Sequence, residues 1–211
     1  MDILKQNIIA AKDDLILAAR RAVRSGLQTG TGGNISVRVP DSGLMAVKAS
    51  GVAFDECVHD NIVVTDFQGN VQEGNLKPTQ EFVLHASLYE KYGNIGAIVH
   101  THSPYSIAWT YTKKDLPLIT QHAMLKLKHA IPNLSYDTPT IPKEGMLEIY
   151  KNMDEKAGLQ AFLLEGHGIV AIGKSAVKAC QTAELIEETA KIVYLNAVLK
   201  STLKNFKNFK I

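Results

Sequence analysis

The N-terminal part of the chain carries an amphipathic pattern. Apolar side chains recur every three or four positions through residues 3–25, and Gly26 follows directly. This spacing places them on one face of a helix, and the glycine favours the end of that helix. Comparable spacing predicts three further helices, over residues 79–92, 144–157 and 175–200. In the first of these, Thr79 has the side chain and the position of an N-cap.

Short apolar runs bounded by turn-forming residues predict β-strands. They cover residues 35–39, 44–50, 61–66, 95–100, 161–165 and 169–173. Turns such as Pro40-Asp41-Ser42-Gly43 join neighbouring runs closely, which favours antiparallel pairing. The pair Ser103-Pro104 is typical of an N-cap and a first helical position, so a helix is predicted just after His102.

The stretch from residue 112 to residue 144 is irregular, with prolines at 117, 132, 139 and 142. The sequence contains no internal repeat, low-complexity linker or shift of composition that would mark a domain boundary. We therefore predict one α/β domain spanning residues 1–211, in which a central, mainly antiparallel β-sheet is flanked by α-helices. The basic C-terminal tail, about residues 201–211, is expected to fray.

Composition and charge narrow the functional classes. The chain has 211 residues, is 45% hydrophobic and 21% charged, and carries a net charge of +2. Such a balance gives no electrostatic reason to expect nucleic acid or a membrane surface as partner. The N-terminus lacks the apolar core of a signal peptide. The two cysteines, Cys57 and Cys180, form no C-x-x-C pattern and are expected to be reduced thiols. These features predict a cytoplasmic protein.

Two histidines close the fourth apolar run, in the stretch AIVHTHSPYS. On a strand, residues two apart face the same side, so His100 and His102 can direct both imidazoles at one point. Such a pair suits zinc and other divalent first-row ions, although an H-x-H pattern by itself is more often structural. A metal needs a third ligand, and His167 is the best candidate because Gly166 and Gly168 allow the backbone to turn sharply there.

Glu81 is the candidate carboxylate. It lies near the start of a predicted helix, where an acid is favoured by the helix dipole whether or not it has a chemical role. The other histidines have weaker cases. His85 falls on the same helical face as Glu81 and either lines the same cleft or packs in the core, with packing favoured. His59 and His129 are interpreted as solvated side chains, and the role of His122 stays ambiguous.

A glycine-rich stretch, TGTGGNIS at residues 29–36, exposes backbone N–H groups that suit a phosphate or carboxylate, although it is also compatible with a simple tight turn. It departs from G-x-G-x-x-G and precedes a strand, so a dinucleotide-binding fold is disfavoured. Further small polar pairs end predicted elements at Ser50-Gly51 and Thr79-Gln80.

In order, the motifs G-G-N-x-S, A-S-G, P-T-x-E, H-T-H-S and G-H-G resemble those of the class II aldolase/adducin family, over roughly residues 8–200. By length and layout the chain is most similar to the L-fuculose-1-phosphate aldolase-like zinc aldolases of that family. The resemblance implies a homotetramer with active sites near subunit interfaces, and a small phosphorylated sugar as substrate.

The resemblance also implies roles for single residues. His100, His102 and His167 would hold Zn²⁺ (Mn²⁺ or Co²⁺ being possible), with Glu81 as fourth ligand and catalytic acid/base. Six residues match positions that bind the substrate phosphate: Gly33, Asn34, Ser50, Gly51, Thr79 and Gln80. Here the chain departs from the aldolases, which commonly have Ser-Ser where Thr79-Gln80 stands.

The implied reaction is the reversible cleavage of a ketose 1-phosphate to dihydroxyacetone phosphate and a small aldehyde, through an enediolate that the metal stabilises. Glu81 would move the proton at C3 of the dihydroxyacetone phosphate fragment. A second acid/base is expected at the C4 hydroxyl, where the family uses a tyrosine of a neighbouring subunit. Tyr105, Tyr111 and His122 are all conceivable for that role.

Other activities stay open on this fold. L-Ribulose-5-phosphate 4-epimerases usually carry aspartate where Glu81 stands. Methylthioribulose-1-phosphate dehydratases keep the glutamate but favour an aromatic residue where this chain has Ile172, in HGIVAIG. A non-catalytic interaction module like the adducin head lacks the metal ligands that are present here. A cupin would need a glutamate shortly after His102 and is disfavoured.

Overall fold

A computed structural model describes residues 2–138 and 140–206 of the chain. Within these residues the helices are α1 (Ile3–Arg24), α2 (Phe82–Lys91), α3 (Pro104–Thr110), α4 (Gln121–Leu127), α5 (Met146–Glu155) and α6 (Ala176–Phe206). The strands are β1 (Asn34–Val39), β2 (Leu44–Lys48), β3 (Ile62–Asp66), β4 (Val71–Glu73), β5 (Ala97–Thr101), β6 (Asn133–Leu134), β7 (Ala161–Leu164) and β8 (Gly168–Gly173). Short 3₁₀ turns lie at Phe54–Glu56, His59–Asn61 and Lys143–Gly145.

All of these strands belong to one sheet, in the order β4-β3-β2-β1-β5-β8-β7-β6. Among the described strands, only β6 and β7 pair in parallel. The predicted fold, a single α/β domain with a central, mainly antiparallel sheet between helices, is confirmed. The register places Asn34 of β1 opposite His100 of β5, and Thr101 of β5 opposite Ile169 of β8. The start of β1, the end of β5 and the start of β8 therefore meet at one edge of the sheet.

The sheet separates two hydrophobic layers, and β5 shows how its residues alternate between them. Val99 packs in the cluster that contains buried residues of α1 and α6, whereas Ile98 packs in the cluster that contains α2 and α5. Because side chains two apart on a strand share a face, His100 follows Ile98 and points to the α2 side of the sheet. That orientation brings the first histidine of the H-x-H pair towards the start of α2.

The start of α2 differs from the prediction. The helix begins at Phe82, with Glu81 as the N-cap residue, so the prediction that Thr79 caps it is wrong. Instead, the hydroxyl of Thr79 accepts a hydrogen bond from the backbone N–H of Glu81 over 3.3 Å, within a turn that precedes the helix. Glu81 therefore lies at the boundary between this turn and α2, not inside the helix.

Regular structure also extends further than predicted. The irregular stretch contains α4, whose N-cap Thr120 accepts from the backbone N–H of Ala123, and the two-residue strand β6. The helix α6 continues to Phe206 and so includes the first residues of the basic tail, about 201–211, while residues 207–211 lie outside the described part. Although α6 has 31 residues, neither it nor any other described helix is long and apolar enough to cross a membrane.

Both cysteines are thiols without a disulfide partner in the described part of the chain, as expected from the sequence. Cys57 and Cys180 are completely buried, and this burial raises the pKa of Cys57 to about 11 and that of Cys180 to about 12. Since the thiolate is the reactive form, neither side chain is placed for nucleophilic chemistry at neutral pH.

Candidate metal centre

Three histidines converge where β5 ends and the β7–β8 turn begins. His100 Nε2 lies 3.1 Å from His102 Nε2 and 3.3 Å from His167 Nε2. Their ligand nitrogens all lie within 4.8 Å of one another. The meeting depends on the sheet: β5 and β8 are antiparallel neighbours, so the turn before β8 comes back to the end of β5. The structure thus brings together the three histidines that the sequence singled out.

The histidines are held in the form that binds a metal. His100 Nδ1 donates a hydrogen bond to the carbonyl oxygen of Ile169 over 2.9 Å, which leaves the lone pair of Nε2 directed into the cluster. Burial lowers the pKa of His100 to about 4 and that of His102 to about 4, and burial also lowers the pKa of His167. All three rings are therefore neutral near pH 7, as ligation requires.

Glu81 joins this cluster from the start of α2. One carboxylate oxygen, Oε2, accepts a 2.5 Å hydrogen bond from the side-chain amide of Asn34 and lies 3.4 Å from His100 Nε2. The other oxygen, Oε1, lies 3.9 Å from His167 Nδ1 and is buried without a hydrogen-bond partner among the described residues. Burial raises the pKa of Glu81, while the Asn34 hydrogen bond and the nearby histidines act in the opposite direction.

These groups fit a divalent metal ion. Nitrogens that bind zinc at about 2.0–2.1 Å in tetrahedral geometry are about 3.3 Å apart. The distances from His100 Nε2 to His102 Nε2 and to His167 Nε2, 3.1 and 3.3 Å, are close to this value. Neutral imidazoles at this separation cannot all satisfy one another, because each has only one N–H. The buried, unpartnered oxygen of Glu81 supplies the negative charge that a cation would balance. Three imidazoles and a carboxylate suit zinc and neighbouring first-row ions.

Glycines allow the backbone to close around the cluster. Gly168 has a φ of +148°, and a Cβ there would overlap the carbonyl oxygen of Thr101 and lie 3.2 Å from the Cα of His102. In the glycine-rich loop, a Cβ on Gly32 would lie 2.7 Å from His102 Nδ1, and one on Gly33 would lie 2.7 Å from the carbonyl oxygen of His100. Two glycines predicted to expose N–H groups therefore also let their loop lie directly against the histidines.

Two polar side chains that support the histidines were missed from the sequence. Gln28 Oε1 accepts a 2.8 Å hydrogen bond from the backbone N–H of His102. Thr110 Oγ1 accepts a 2.9 Å hydrogen bond from the backbone N–H of Gly166, at the turn that carries His167. Neither belongs to a recognisable motif, and only the position of Gln28 just before the glycine-rich loop could have drawn attention to it.

Histidines outside the cluster fall into two groups. His59 pairs with Asp13 over 2.8 Å at the surface, and His129 Nε2 lies 3.0 Å from a backbone carbonyl there. His85 is completely buried, and it is more than a packing residue because both of its ring nitrogens have side-chain partners, Asn34 and Ser36. The sequence indicated that His85 shares a helical face with Glu81, but not that Asn34 connects the two.

The segments expected to bind phosphate are neighbours in the structure. The ammonium group of Lys48 donates to the carbonyl oxygens of Thr31 and Val52, at 3.3 and 2.5 Å, and joins the glycine-rich loop to the turn at residues 50–51. The backbone N–H of Ser50 donates to the carbonyl oxygen of Lys77 over 2.9 Å, which draws the 79–80 pair towards the same place.

The six candidate residues differ in what they can offer to a ligand. Ser50, Gly51 and Gln80 are exposed, whereas Thr79 is buried. The amide of Asn34 is already hydrogen bonded at both ends, to Glu81 and His85. Asn34 can therefore contribute to an anion site through its backbone only, as must the glycines Gly33 and Gly51, which have no side chain.

The three candidates for a second acid/base lie in different places. The hydroxyl of Tyr111 approaches the histidine turn, since a Cβ on Gly166 would lie 3.3 Å from it. Tyr105 and His122 line a separate groove of about 860 Å³ along α6. Within this chain, only Tyr111 of the three is thus placed next to the candidate metal centre.

A cleft of about 330 Å³ opens beside the histidine cluster and includes His167 in its wall. Its other walls combine polar and apolar side chains, from Tyr136, Asp137, Thr138, Ile141, Leu164 and Glu165. The ring of His167 is therefore accessible from this cleft, while His100 is completely buried.

Comparison with known proteins agrees with this arrangement. Residues 13–194 match the family described as Class II Aldolase and Adducin N-terminal domain. The chain is 33% identical to an L-fuculose 1-phosphate aldolase of known structure, with a TM-score of 0.80, and the match covers 90% of this chain and 87% of that one.

Two further solved structures share the fold at lower identity. For an L-fuculose-1-phosphate aldolase from Thermus thermophilus, the identity is 24%, the TM-score 0.78, and the coverage 93% of this chain and 97% of that chain. For a sugar-phosphate aldolase from Thermotoga maritima, the corresponding values are 23%, 0.74, 92% and 96%.

Proposed function

The chain belongs to the class II aldolase and adducin family, and we propose that it is a metal-dependent aldolase acting on a sugar phosphate. The reaction is the reversible cleavage of a ketose 1-phosphate, of the L-fuculose 1-phosphate type, to dihydroxyacetone phosphate and a small aldehyde. The observation that carries this proposal is the convergence of three neutral histidines on a buried carboxylate oxygen of Glu81 that has no partner among the described residues.

The residues that hold the ion are His100, His102, His167 and Glu81, and the ion is zinc, with manganese or cobalt as alternatives. When bound, it polarises the substrate carbonyl and stabilises the negative charge that develops as the carbon–carbon bond breaks. The hydrogen bond from His100 to Ile169 fixes the tautomer that presents Nε2 to the ion, and the burial of His100 excludes water from that side.

Glu81 is the catalytic acid/base. In the condensation direction it takes a proton from the carbon of dihydroxyacetone phosphate that forms the new bond, and in the cleavage direction it returns a proton to that carbon. Its position supports this role, since Asn34 occupies Oε2 while Oε1 is free among the described residues. Burial raises the pKa of Glu81, which makes the carboxylate a stronger base than an exposed glutamate.

The substrate phosphate binds where the three backbone segments meet. The N–H groups of the loop that includes Gly33 and of Gly51 supply uncharged donors, while Ser50 and Thr79-Gln80 add polar side chains. The links made by Lys48 and Ser50 support the proposal because they hold these segments together before any ligand arrives. Asn34 takes part through its backbone, since its side chain is bound to Glu81 and His85.

The aldehyde fragment occupies the cleft beside His167. Its volume of about 330 Å³ suits a small molecule. Two acidic side chains in its wall, Asp137 and Glu165, are unfavourable for a second phosphate and favourable for hydroxyl groups. This arrangement favours an uncharged, short aldehyde.

Two features separate this reaction from others on the same fold. Glu81 stands where the pentulose-5-phosphate 4-epimerases usually carry aspartate, and Ile172 stands where the methylthioribulose-1-phosphate dehydratases favour an aromatic residue. A non-catalytic, adducin-head-like module has no use for a complete set of metal ligands. These differences favour the aldolase over each alternative.

We also propose that the chain assembles into a homotetramer with active sites near the subunit interfaces. The outer half of α6 supports an assembly, because it exposes a run of large apolar side chains to solvent: Tyr194, Leu195, Val198, Leu199 and Leu203. Light scattering coupled to size-exclusion chromatography measures the mass directly, and a monomer at micromolar concentration would contradict the assembly but not the chemistry.

The decisive experiment is a substrate panel on the metal-loaded protein. Dihydroxyacetone phosphate is offered with L-lactaldehyde, glycolaldehyde and longer aldehydes, and condensation is followed before and after chelation and after return of zinc. We expect metal-dependent condensation with short hydroxyaldehydes. Glu81→Gln should lower kcat by about 10²- to 10⁴-fold, as expected for loss of a general base. The surface variant His59→Ala is the matched control and should behave as the wild type.

Two results would contradict the proposal. Absence of condensation with every aldehyde, combined with dehydration of methylthioribulose 1-phosphate, would identify the dehydratase instead. Full activity in Glu81→Gln, with activity still lost on chelation, would leave the metal role intact but refute the acid/base role.

A further inference from the structure

A buried chain of hydrogen bonds connects Glu81 to the middle of α2. The Asn34 amide donates to Glu81 Oε2, and Asn34 Oδ1 lies 2.5 Å from His85 Nε2. Ser36 Oγ lies 2.6 Å from His85 Nδ1 and 2.8 Å from the hydroxyl of Tyr89. All five side chains are buried. A polar chain of this length inside a core is costly unless each group is satisfied, which makes its composition informative.

The protons of this chain can be placed from the partners alone. The Asn34 NH₂ group must donate to the Glu81 carboxylate, so the Asn34 oxygen must accept, and His85 therefore carries its proton on Nε2. His85 Nδ1 then accepts from the Ser36 hydroxyl, which in turn accepts from the hydroxyl of Tyr89. Complete burial lowers the pKa of His85 to about 3, so the ring is neutral and has a single N–H. Each donor in this series of hydrogen bonds, from Tyr89 to Asn34, therefore points towards Glu81.

The orientation of the Asn34 amide is the critical link. A flipped amide would place its oxygen against Glu81 Oε2, acceptor against acceptor, and its NH₂ group against the N–H of His85. The N–H of His85 thus favours the same amide orientation as the Glu81 carboxylate, the one in which Asn34 donates to Glu81. Without that proton, only the Glu81 carboxylate would hold the Asn34 amide in this orientation.

We propose that His85 is a positioning residue for the metal centre: through Asn34 it holds the Glu81 carboxylate with Oε2 occupied and Oε1 free to face the metal. The inference rests on the proposed function in one respect, namely that Glu81 is a metal ligand and the acid/base. His85 itself acts on Asn34 and is not a catalytic residue.

The local sequence explains how this series of buried hydrogen bonds forms. Glu81 is the N-cap residue of α2 and His85 follows it by four residues, about one helical turn, so the two side chains leave the backbone in similar directions. Asn34 and Ser36 are two apart on β1 and share the face that points to α2. A residue pair from the helix therefore alternates with a residue pair from the strand, and the packing of α2 on the sheet completes the chain.

The test compares two substitutions of His85 by their effect on metal affinity. His85→Gln keeps a donor at the position of Nε2, whereas His85→Leu removes it. The affinity of the apo-protein for zinc is measured by competition with a chromophoric chelator, without substrate. We expect affinity to fall about 10- to 100-fold in His85→Leu and to stay within about threefold of wild type in His85→Gln. In turnover, His85→Leu should lower kcat with little change in KM.

A double-mutant cycle separates positioning from general loss of stability. Asn34→Ala breaks the same chain at the next link, so it should weaken zinc binding to a similar extent, and the double variant with His85→Leu should bind no more weakly than either single variant. The buried residue Leu88 on the same helix provides the control, because Leu88→Val destabilises the core without touching the chain and should leave zinc affinity unchanged.

The outcomes distinguish the inference from the function on which it rests. Wild-type protein that binds no zinc would overturn both. Wild-type zinc affinity in folded His85→Leu would overturn the inference alone, as would equal losses in the Leu and Gln variants. If His85→Leu does not fold, the zinc affinity of Asn34→Ala provides the test. Unchanged affinity in that variant would overturn the inference.

Discussion

Replacement of Gly168 by alanine should damage stability and metal binding together, because Gly168 lies where the two histidine-bearing segments touch. Its φ of +148° is a region that residues with a side chain rarely adopt. A Cβ there would also overlap the carbonyl oxygen of Thr101, the residue between His100 and His102. The new methyl group can be accommodated only if the start of β8 moves away from the end of β5.

The size of the effect follows from these two observations. Backbone strain costs about 1–3 kcal/mol and the overlap a further 1–3 kcal/mol, so the free energy of unfolding should fall by about 2–6 kcal/mol. For a chain of this size, each kcal/mol lowers the unfolding midpoint by about 2–4 °C. Restoring normal contact requires a shift of about 1 Å between the segments, and misplacement of this size costs about 100-fold in activity.

The assay pairs this variant with Gly43→Ala. Gly43 also has a positive φ, +67°, but a Cβ there meets no described atom within 4 Å. It lies in the turn between β1 and β2, so Gly43→Ala carries the cost of the backbone conformation, about 1–2 kcal/mol, without the overlap. Thermal unfolding of the apo-proteins and chelator competition for zinc are measured on both variants.

The two glycine variants should differ in both stability and zinc affinity. Gly168→Ala should lose more stability than Gly43→Ala and should also bind zinc more weakly, while Gly43→Ala keeps wild-type zinc affinity. Equal stability of the two variants, with wild-type zinc affinity in both, would refute the inference that the histidine segments are packed in contact at Gly168.

Three further predictions concern other parts of the molecule. Asp14 accepts hydrogen bonds from two backbone N–H groups at the start of α6, so Asp14→Ala should cost about 1 kcal/mol, measured by denaturant unfolding, with zinc affinity unchanged. Because burial raises the pKa of Cys57 to about 11 and of Cys180 to about 12, a thiol reagent at pH 7 should modify neither in the native protein and both after denaturation. Burial lowers the pKa of His85 from 6.5 to about 3 in the folded protein. As the pH falls below 6.5, this histidine therefore takes up a proton in the unfolded chain before it does so in the folded protein. Chelated wild type should then lose up to about 1.4 kcal/mol per pH unit more than His85→Gln between pH 6.5 and 4, and parallel pH profiles would contradict this.

The secondary structure was largely predictable because its signals are local. The helix over residues 3–25 and the strand pair around the Gly-His-Gly turn follow from the period of the apolar residues, and the structure has α1 at Ile3–Arg24 and β7 and β8 on either side of the turn. The features that the sequence did not predict depend on contacts with other parts of the chain. The strand β6, for example, has two residues and exists through its pairing with β7. The start of α2 also moved, because the Thr79 hydroxyl engages the turn before the helix instead of capping it.

The sequence by itself determined which residues form the candidate metal centre: the H-x-H spacing of His100 and His102, the glycines around His167, and Glu81 before a helix. These are properties of neighbours along the chain, and the order of the motifs also indicated the family. Only the tertiary structure decided how the ligands are held. The pairing of β5 with β8 brings His167 to His100, and Asn34 is joined to Glu81 and His85 across 47 and 51 residues of sequence. Hydrogen bonds between residues so far apart depend on the packing of α2 against the sheet, which no local pattern encodes.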